Sequence, residues 1–175
     1  MWMRPTLLDL RPIHWLLSIK ITWHCENCTI SLSQSSYIDS QQFNFTDLRH
    51  FLTPMDPNIG IWRPEQTTEM CHIFYCRAVG SLLYLTITTH LDIVFQIGIL
   101  LQFVDNPGQV HWEGVKHIFW YLAGMRDWVL IYGMKVIDLE GFTDADGTTL
   151  AHGHAIMGYT FLISRRTFSG SSKKQ

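Results

Sequence analysis

Cys25 and Cys28 stand three positions apart around Glu26 and Asn27, with Cys71, His72 and Cys76 further along the chain. That is the ligand spacing of a zinc knuckle or of a thiol redox pair. Zinc would require the second group to approach the first with tetrahedral geometry, and redox use would require Cys25 at a helix N-terminus. The local pattern instead puts Cys25 and Cys28 in a hairpin turn, so accidental reduced thiols are the expectation. His152 and His154 would share one strand face and suggest a metal pair. They lack an evident third ligand, which favours a loop or an exposed strand end. Trp112, Phe119, Trp120 and Tyr121 are residue types that stack on bases. Phe119 and Leu122 nevertheless sit on an apolar helix face, and core packing explains the group more economically. Arg126, Arg165, Arg166, Lys173 and Lys174 are able to touch phosphate, although charged residues are more often simply solvated surface.

The elements that must position these residues follow from pattern. Ile13 to Trp23 is rich in β-branched and aromatic residues, and Thr29 to Ser33 alternates after Glu26 and Asn27, which predicts a hairpin. Ser33-Gln34-Ser35-Ser36 reads as a helix start. The stretch from Thr53 to Glu65 holds three of the six prolines and no apolar period, so it is a connecting loop. From Tyr75 to Leu122 the pattern is helical: Ile93, Ile97, Leu100, Leu101 and Val104 line one face, and Val115, Ile118, Phe119 and Leu122 repeat it after Asn106-Pro107-Gly108. Short strands are predicted at Trp128 to Tyr132, Leu139 to Thr143, Tyr159 to Ile163 and Arg166 to Ser169. The last three of these form a small sheet with no helix to cover it, which should leave bare a face with Phe142, Tyr159, Phe161 or Ile163. No internal repeat or low-complexity segment is present.

With 175 residues, 47% hydrophobic and 16% charged, the chain is long enough for one core or parts of two, and too apolar for a disordered segment. A net charge of −2 supplies no global basic field, so any nucleic-acid role must rest on motifs. The most apolar run, Leu91 to Val104, is too short to span a bilayer and is broken by Asp92, Gln96 and Gln102. The N-terminal residues lack a signal-peptide pattern, and four cysteines are too few for a secreted disulfide scaffold, so an intracellular protein, cytoplasmic or nuclear, is expected.

Seven runs occur in an order of their own: Leu32-Ser33-Gln34-Ser35-Ser36-Tyr37-Ile38, Thr53-Pro54-Met55-Asp56-Pro57-Asn58, Ala78-Val79-Gly80-Ser81-Leu82-Leu83-Tyr84-Leu85, Asn106-Pro107-Gly108, His111-Trp112-Glu113, Gly141-Phe142-Thr143-Asp144-Ala145-Asp146 and Ser171-Ser172-Lys173-Lys174-Gln175. Each alone is weak. Together they cover most of the chain from about Asp9 onward, and in this order the chain resembles the copia-type retrotransposon Pol polyprotein. The resemblance implies an α+β fold in three parts. Residues 1–52 correspond to the end of the reverse transcriptase palm and the start of the thumb, 53–136 to the helical thumb and connection, and 137–175 to a truncated N-terminal part of a ribonuclease H-like domain. The parent enzyme is an RNA-directed DNA polymerase with ribonuclease H activity that uses Mg²⁺.

The palm motif Tyr-x-Asp-Asp has no counterpart in this chain. By resemblance Asp144 matches the first catalytic aspartate of ribonuclease H, and Asp146 lies on the same strand face if the strand continues that far. Two-metal phosphoryl transfer needs several carboxylates converging on ions about 4 Å apart. The remaining acidic ligands would lie beyond Gln175, and Asp146-Gly147 has an ordinary reading as a turn. The expectation is therefore a vestigial site at Asp144 and Asp146, no cofactor bound, and no catalysis by this chain alone.

Relatives usually have Thr-Arg-Pro-Asp where this chain has Thr89-His90-Leu91-Asp92, and a basic helix where it has Val115 to Leu122. Trp23, Cys25, Cys28, Cys76, His90, His117 and Trp120 stand at or near places where arginine is common in relatives. Arginine codons reach Cys, Trp and His by single C-to-T or G-to-A changes, the mark that cytosine deamination leaves on a silenced element. Each lost phosphate contact weakens nucleic-acid binding and its salt dependence. The expected function is that of a degenerate Pol fragment. Its partners are RNA or DNA, bound weakly if at all, with no membrane and no small-molecule substrate. The other readings are a residual nucleic-acid-binding module and a small zinc or thiol protein.

Overall fold

The structure, a computed structural model, describes residues 12–40, 51–56, 69–133, 138–146, 156–163 and 165–174. Alternating β-branched residues make the predicted hairpin of β2 (Ile19–His24) and β3 (Thr29–Ser33), with Ile21 opposite Leu32 and Trp23 opposite Ile30. A single 3₁₀ turn, Cys25–Asn27, and a left-handed Cys28 (φ 49°) reverse the chain between them. Before β2 lies β1 (Trp15–Leu16), joined to it by Leu17 and Ser18, both at positive φ as a two-residue hairpin turn demands. The far edge of β3 takes β4 (Leu130–Gly133), giving the antiparallel order β1-β2-β3-β4.

The helical stretch resolves into α1 (Ser35–Ser40), α2 (Glu69–Thr88), α3 (Val94–Leu101) and α4 (Gln109–Gly124). Their apolar stripes meet in one core of Tyr75, Val79, Leu82, Leu85, Ile97, Leu100, Val115, Ile118 and Leu122, to which Ile38 adds α1. Two polar groups at this core are held by hydrogen bonds: the Tyr75 hydroxyl donates to the Leu100 carbonyl at 2.7 Å, and the Gln34 side-chain oxygen accepts from the hydroxyls of Thr88 and Thr89, although the Gln34 side-chain nitrogen is buried without a partner among the described residues. Pro107 ends the α3 region, and α4 begins after an extended Gly108 whose N–H donates to Nδ1 of the buried His111 at 2.7 Å. Phe103 stacks on that imidazole with centroids 4.0 Å apart. His111 thus satisfies the backbone N–H of Gly108 at the start of α4, the half of a reciprocal cap that the third helical residue supplies; Gly108 has no side chain to return the other half.

The C-terminal strands are β5 (Leu139–Asp146), β6 (Ile156–Ile163) and β7 (Arg166–Lys174), an antiparallel sheet in the order β5-β6-β7. Register sorts their side chains, because directly paired residues share a face. Phe142 pairs with Thr160 and Asp144 with Gly158 on one face, whereas Tyr159, Phe161 and Ile163 alternate onto the other. Gly141 lies under the Phe161 ring, where a β-carbon would come within 2.9 Å of it. At Gly170 an added β-carbon would meet Thr160 Oγ1 at 3.0 Å and Leu91 Cδ2 at 3.4 Å, so this glycine lets β7 approach the 3₁₀ turn Leu91–Ile93.

Two expectations are corrected here. The sheet is not bare, because α3 packs along β7 and a β-carbon at Gly98 would lie 3.7 Å from the Ser172 carbonyl oxygen. Phe142, expected on the uncovered face with Tyr159, Phe161 and Ile163, belongs to the helix-facing side. The sheets also touch: the Tyr132 hydroxyl donates to the Thr167 carbonyl at 2.8 Å, and Arg166 Nε to the Ile131 carbonyl at 3.1 Å. The architecture is α+β, and no helix among the described residues is long and apolar enough to cross a membrane.

Candidate functional site

Strand β5 runs through Asp146, so positions 144 and 146 alternate onto one strand face as expected. The Asp144 side chain is exposed and borders a cavity of about 440 Å³ between the sheet and α3. Val94 and Phe95 form the helix wall; Phe142, Ile156, Thr160 and Ser172 are among the residues of the sheet wall. Asp144 is the only carboxylate among the described residues that line it. One or two carboxylates hold a Mg²⁺ ion mainly through water and substrate phosphate, and a two-ion site needs more. The described residues therefore do not fit a two-metal centre, and no group of three or more His, Cys, Asp or Glu among them converges elsewhere.

The cysteines occupy the hairpin turn that the pattern predicted. Cys25 opens the 3₁₀ turn and both Cys25 and Cys28 are exposed free thiols, with Cys28 Sγ 3.7 Å from the Cys25 carbonyl oxygen. A three-residue turn offers no helix dipole to activate a thiol. Cys76 lies one turn after His72 on α2 and 3.9 Å from its ring nitrogens. The Cys71 side chain, His152 and His154 fall outside the described residues.

Phe119 and Tyr121 are buried, and Trp112 packs against the same core, which bears out a packing role for these aromatics. Trp120 is partly buried, its ring 5.7 Å from Phe51. His117 is also buried on α4: its Nε2 lies 2.9 Å from the Thr53 carbonyl oxygen and Phe51 stacks on it at 3.9 Å. It ties the segment around Thr53 to the helix. Among the candidate cations, Arg126 pairs with Asp39 at 2.7 Å on the surface, worth less than about 1 kcal/mol. Arg165 and Lys173 are exposed.

A polar cluster that sequence reasoning missed joins the 3₁₀ turn Leu91–Ile93 and its preceding residue, His90, to α4. His90 is buried with Nδ1 3.6 Å from Asp92 Oδ1, while the Tyr121 hydroxyl donates to Asp92 Oδ2 at 2.7 Å. Burial opposes the charge on Asp92, but hydrogen bonds from His90 and Tyr121 outweigh it and hold this carboxyl below the ordinary value. Burial and then the Asp92 carboxylate push the Tyr121 phenol up. A depressed folded-state value means that Asp92 contributes stability above the ordinary carboxylate pKa of about 4 and loses it as pH falls through the folded-state value. Asp92→Asn is expected to reduce that acid sensitivity while costing less than about 1 kcal/mol near neutrality, since the half-exposed group is screened. Urea midpoints of both proteins at neutral and acidic pH check this; an unchanged acid slope refutes it.

No family model matches the chain, and no solved structure matches it. Curated proteins do. The chain is similar to the retrovirus-related Pol polyprotein from transposon TNT 1-94 of Nicotiana tabacum, 32% identical over 95% of this chain and 13% of that polyprotein. It is 29% identical to the retrovirus-related Pol polyprotein from transposon RE1 of Arabidopsis thaliana, over 83% of this chain and 10% of that one. A third relative, named secreted RxLR effector protein 161, of Plasmopara viticola, is 31% identical over 61% of this chain and 76% of that protein. The chain thus spans about a tenth of the polyproteins it matches along most of its own length. On this similarity, which runs through both sheets and the helical core between them, the chain belongs to the retrovirus-related transposon Pol polyproteins.

Proposed function

We propose that this chain is the copia-type Pol region running from the last palm hairpin, through the helical thumb and connection, into the first strands of a ribonuclease H-like sheet, and that these 175 residues alone do no catalysis. The divisions at 52/53 and 136/137 belong to the same proposal. Its main support is the position of Asp144, mid-strand on the first strand of an antiparallel β5-β6-β7 sheet, as the lone carboxylate of the described cavity lining. A ribonuclease H centre needs that aspartate together with others around it. The absence of Tyr-x-Asp-Asp from the sequence supports the polymerase half of the proposal. Histidines where relatives have arginine support weak, sequence-independent binding of RNA or DNA at most, in an intracellular setting. His90 and His117 are both turned into packing contacts.

Purified chain is expected to extend no primer and to cleave no RNA–DNA hybrid with Mg²⁺ or Mn²⁺. Primer-extension and hybrid-cleavage assays check this. Cleavage abolished by Asp144→Asn would overturn the inactive assignment while leaving the family untouched.

A further inference from the structure

The sheet β5-β6-β7 keeps its carboxylate positions to one face. Positions 140 and 144, both carboxylates, alternate onto the side that faces α3, where Asp144 borders the cavity. The other side carries Gly141, Thr143 and Ala145 on β5, Met157, Tyr159, Phe161 and Ile163 on β6, and Ser169, Ser171 and Lys173 on β7. No carboxylate occurs at these positions.

Three aromatic rings lie in series there. Tyr159 and Phe161 are tilted with centroids 5.5 Å apart, and Phe161 and Phe168 follow at 6.3 Å, Phe168 being displaced by the irregularity in the β6–β7 pairing. Each ring is 40–45% exposed, although large aromatics are ordinarily among the more buried residues. Gly141 holds Phe161 flat across β5, since any β-carbon there would displace the ring. At one end of the series Lys173 pairs with Met157, and at the other Arg165 occupies the β6–β7 turn beside Arg166.

We propose that this outer face is a stacking platform for single-stranded nucleic acid. Exposed rings on adjacent strands present flat faces to unpaired bases irrespective of sequence, and the cations at the two ends meet phosphates. A duplex hides its base faces and gains only the phosphate contacts. The charge pattern argues against a second copy as the occupant. A two-fold contact would bring the face's cations toward one another with no carboxylate to pair them. The inference rests on the Pol reading for its ligand class and goes beyond it by assigning the residual affinity to this face.

Fluorescence anisotropy with labelled oligo(dT) and oligo(U), at low and high salt, tests the platform on the whole chain. The wild type should bind both oligonucleotides weakly and a duplex of equal length more weakly still. Tyr159→Ala and Phe161→Ala should each weaken single-strand binding at least about fivefold, the lower bound for loss of one base–aromatic stack. Tyr159→Phe, which keeps the ring, should stay near wild type. Lys173→Gln should lower the salt slope by about one and weaken all sequences alike. Circular dichroism of each variant establishes that the fold is retained. Absence of binding by the wild type overturns the platform, as does binding indifferent to Tyr159→Ala and Phe161→Ala. In the indifferent case the nucleic acid sits elsewhere, and the Pol assignment stands. Sedimentation showing a dimer broken by Phe161→Ala, without oligonucleotide binding, overturns it in favour of self-association.

Discussion

Leu100→Ala is expected to destabilise the protein by about 2–5 kcal/mol, the range for removing a fully enclosed leucine. Leu100 has no exposed surface, and its carbonyl receives the Tyr75 hydroxyl, so the residue joins α2 and α3 by packing and by a hydrogen bond. The loss compares with a total stability of roughly 5–15 kcal/mol for an ordinary domain. Because α3 has only eight residues, it is too short to persist without its packing. It is also the helix against β7, so the damage should reach the C-terminal sheet. The neighbouring Leu101→Ala, at a leucine 41% exposed, is the control and should cost less than about 1 kcal/mol. Chemical denaturation of the two variants measures the difference. Equal effects would show that α3 does not organise the core.

The second large effect concerns hydrogen exchange. Amides of β5, β6 and β7 should exchange at least about a hundredfold faster than those in the middle of α2 and α4, a difference of roughly 3 kcal/mol in opening free energy. The helices surround side chains with no exposed surface at all, whereas Leu139, Met157, Tyr159, Phe161 and Phe168 of the sheet remain 40–65% exposed. A sheet needs a layer on its apolar face, and α3 reaches only the side along β7. Exchange measured by mass spectrometry or NMR checks this. Uniform strong protection through Phe161 and Phe168, with one cooperative transition, would show that sheet and helices form a single unit.

Much of this arrangement was legible from residue patterns, because period is what sequence displays best. The β2–β3 hairpin, the helices about Asn106-Pro107-Gly108 and all four later strands lie where alternation and apolar stripes put them. The contact of α3 with β7 was not foreseen, although a signal existed. Val94, Phe95, Ile97, Ile99, Leu100 and Leu101 leave that helix almost no polar face, and a helix apolar all round needs neighbours on more than one side. Phe142 was misplaced for a different reason: alternation gives faces within one strand, but only pairing register relates one strand's faces to the next. Of the candidate site, Asp144 and Asp146 proved to be alternate positions of one strand. The His90, Asp92 and Tyr121 cluster could not be read, since its members are joined by helix packing across 29 residues of sequence.

Pairing of β3 with β4 has a consequence for the order in which the protein assembles. Leu32 lies opposite Leu130, so this ladder closes a loop of about a hundred residues that contains the whole helical core. The β2–β3 hairpin and individual helices form from local contacts in microseconds, but the edge of β3 must wait for a distant strand. Collapse of α2, α3 and α4 brings that strand within reach, because β4 follows α4 after only a short turn. Through Tyr132 and Ile131, β4 then touches β7. A nascent chain would therefore hold an unpaired β3 edge until α4 and β4 had been synthesised, and in that interval the edge is open to strands of other molecules.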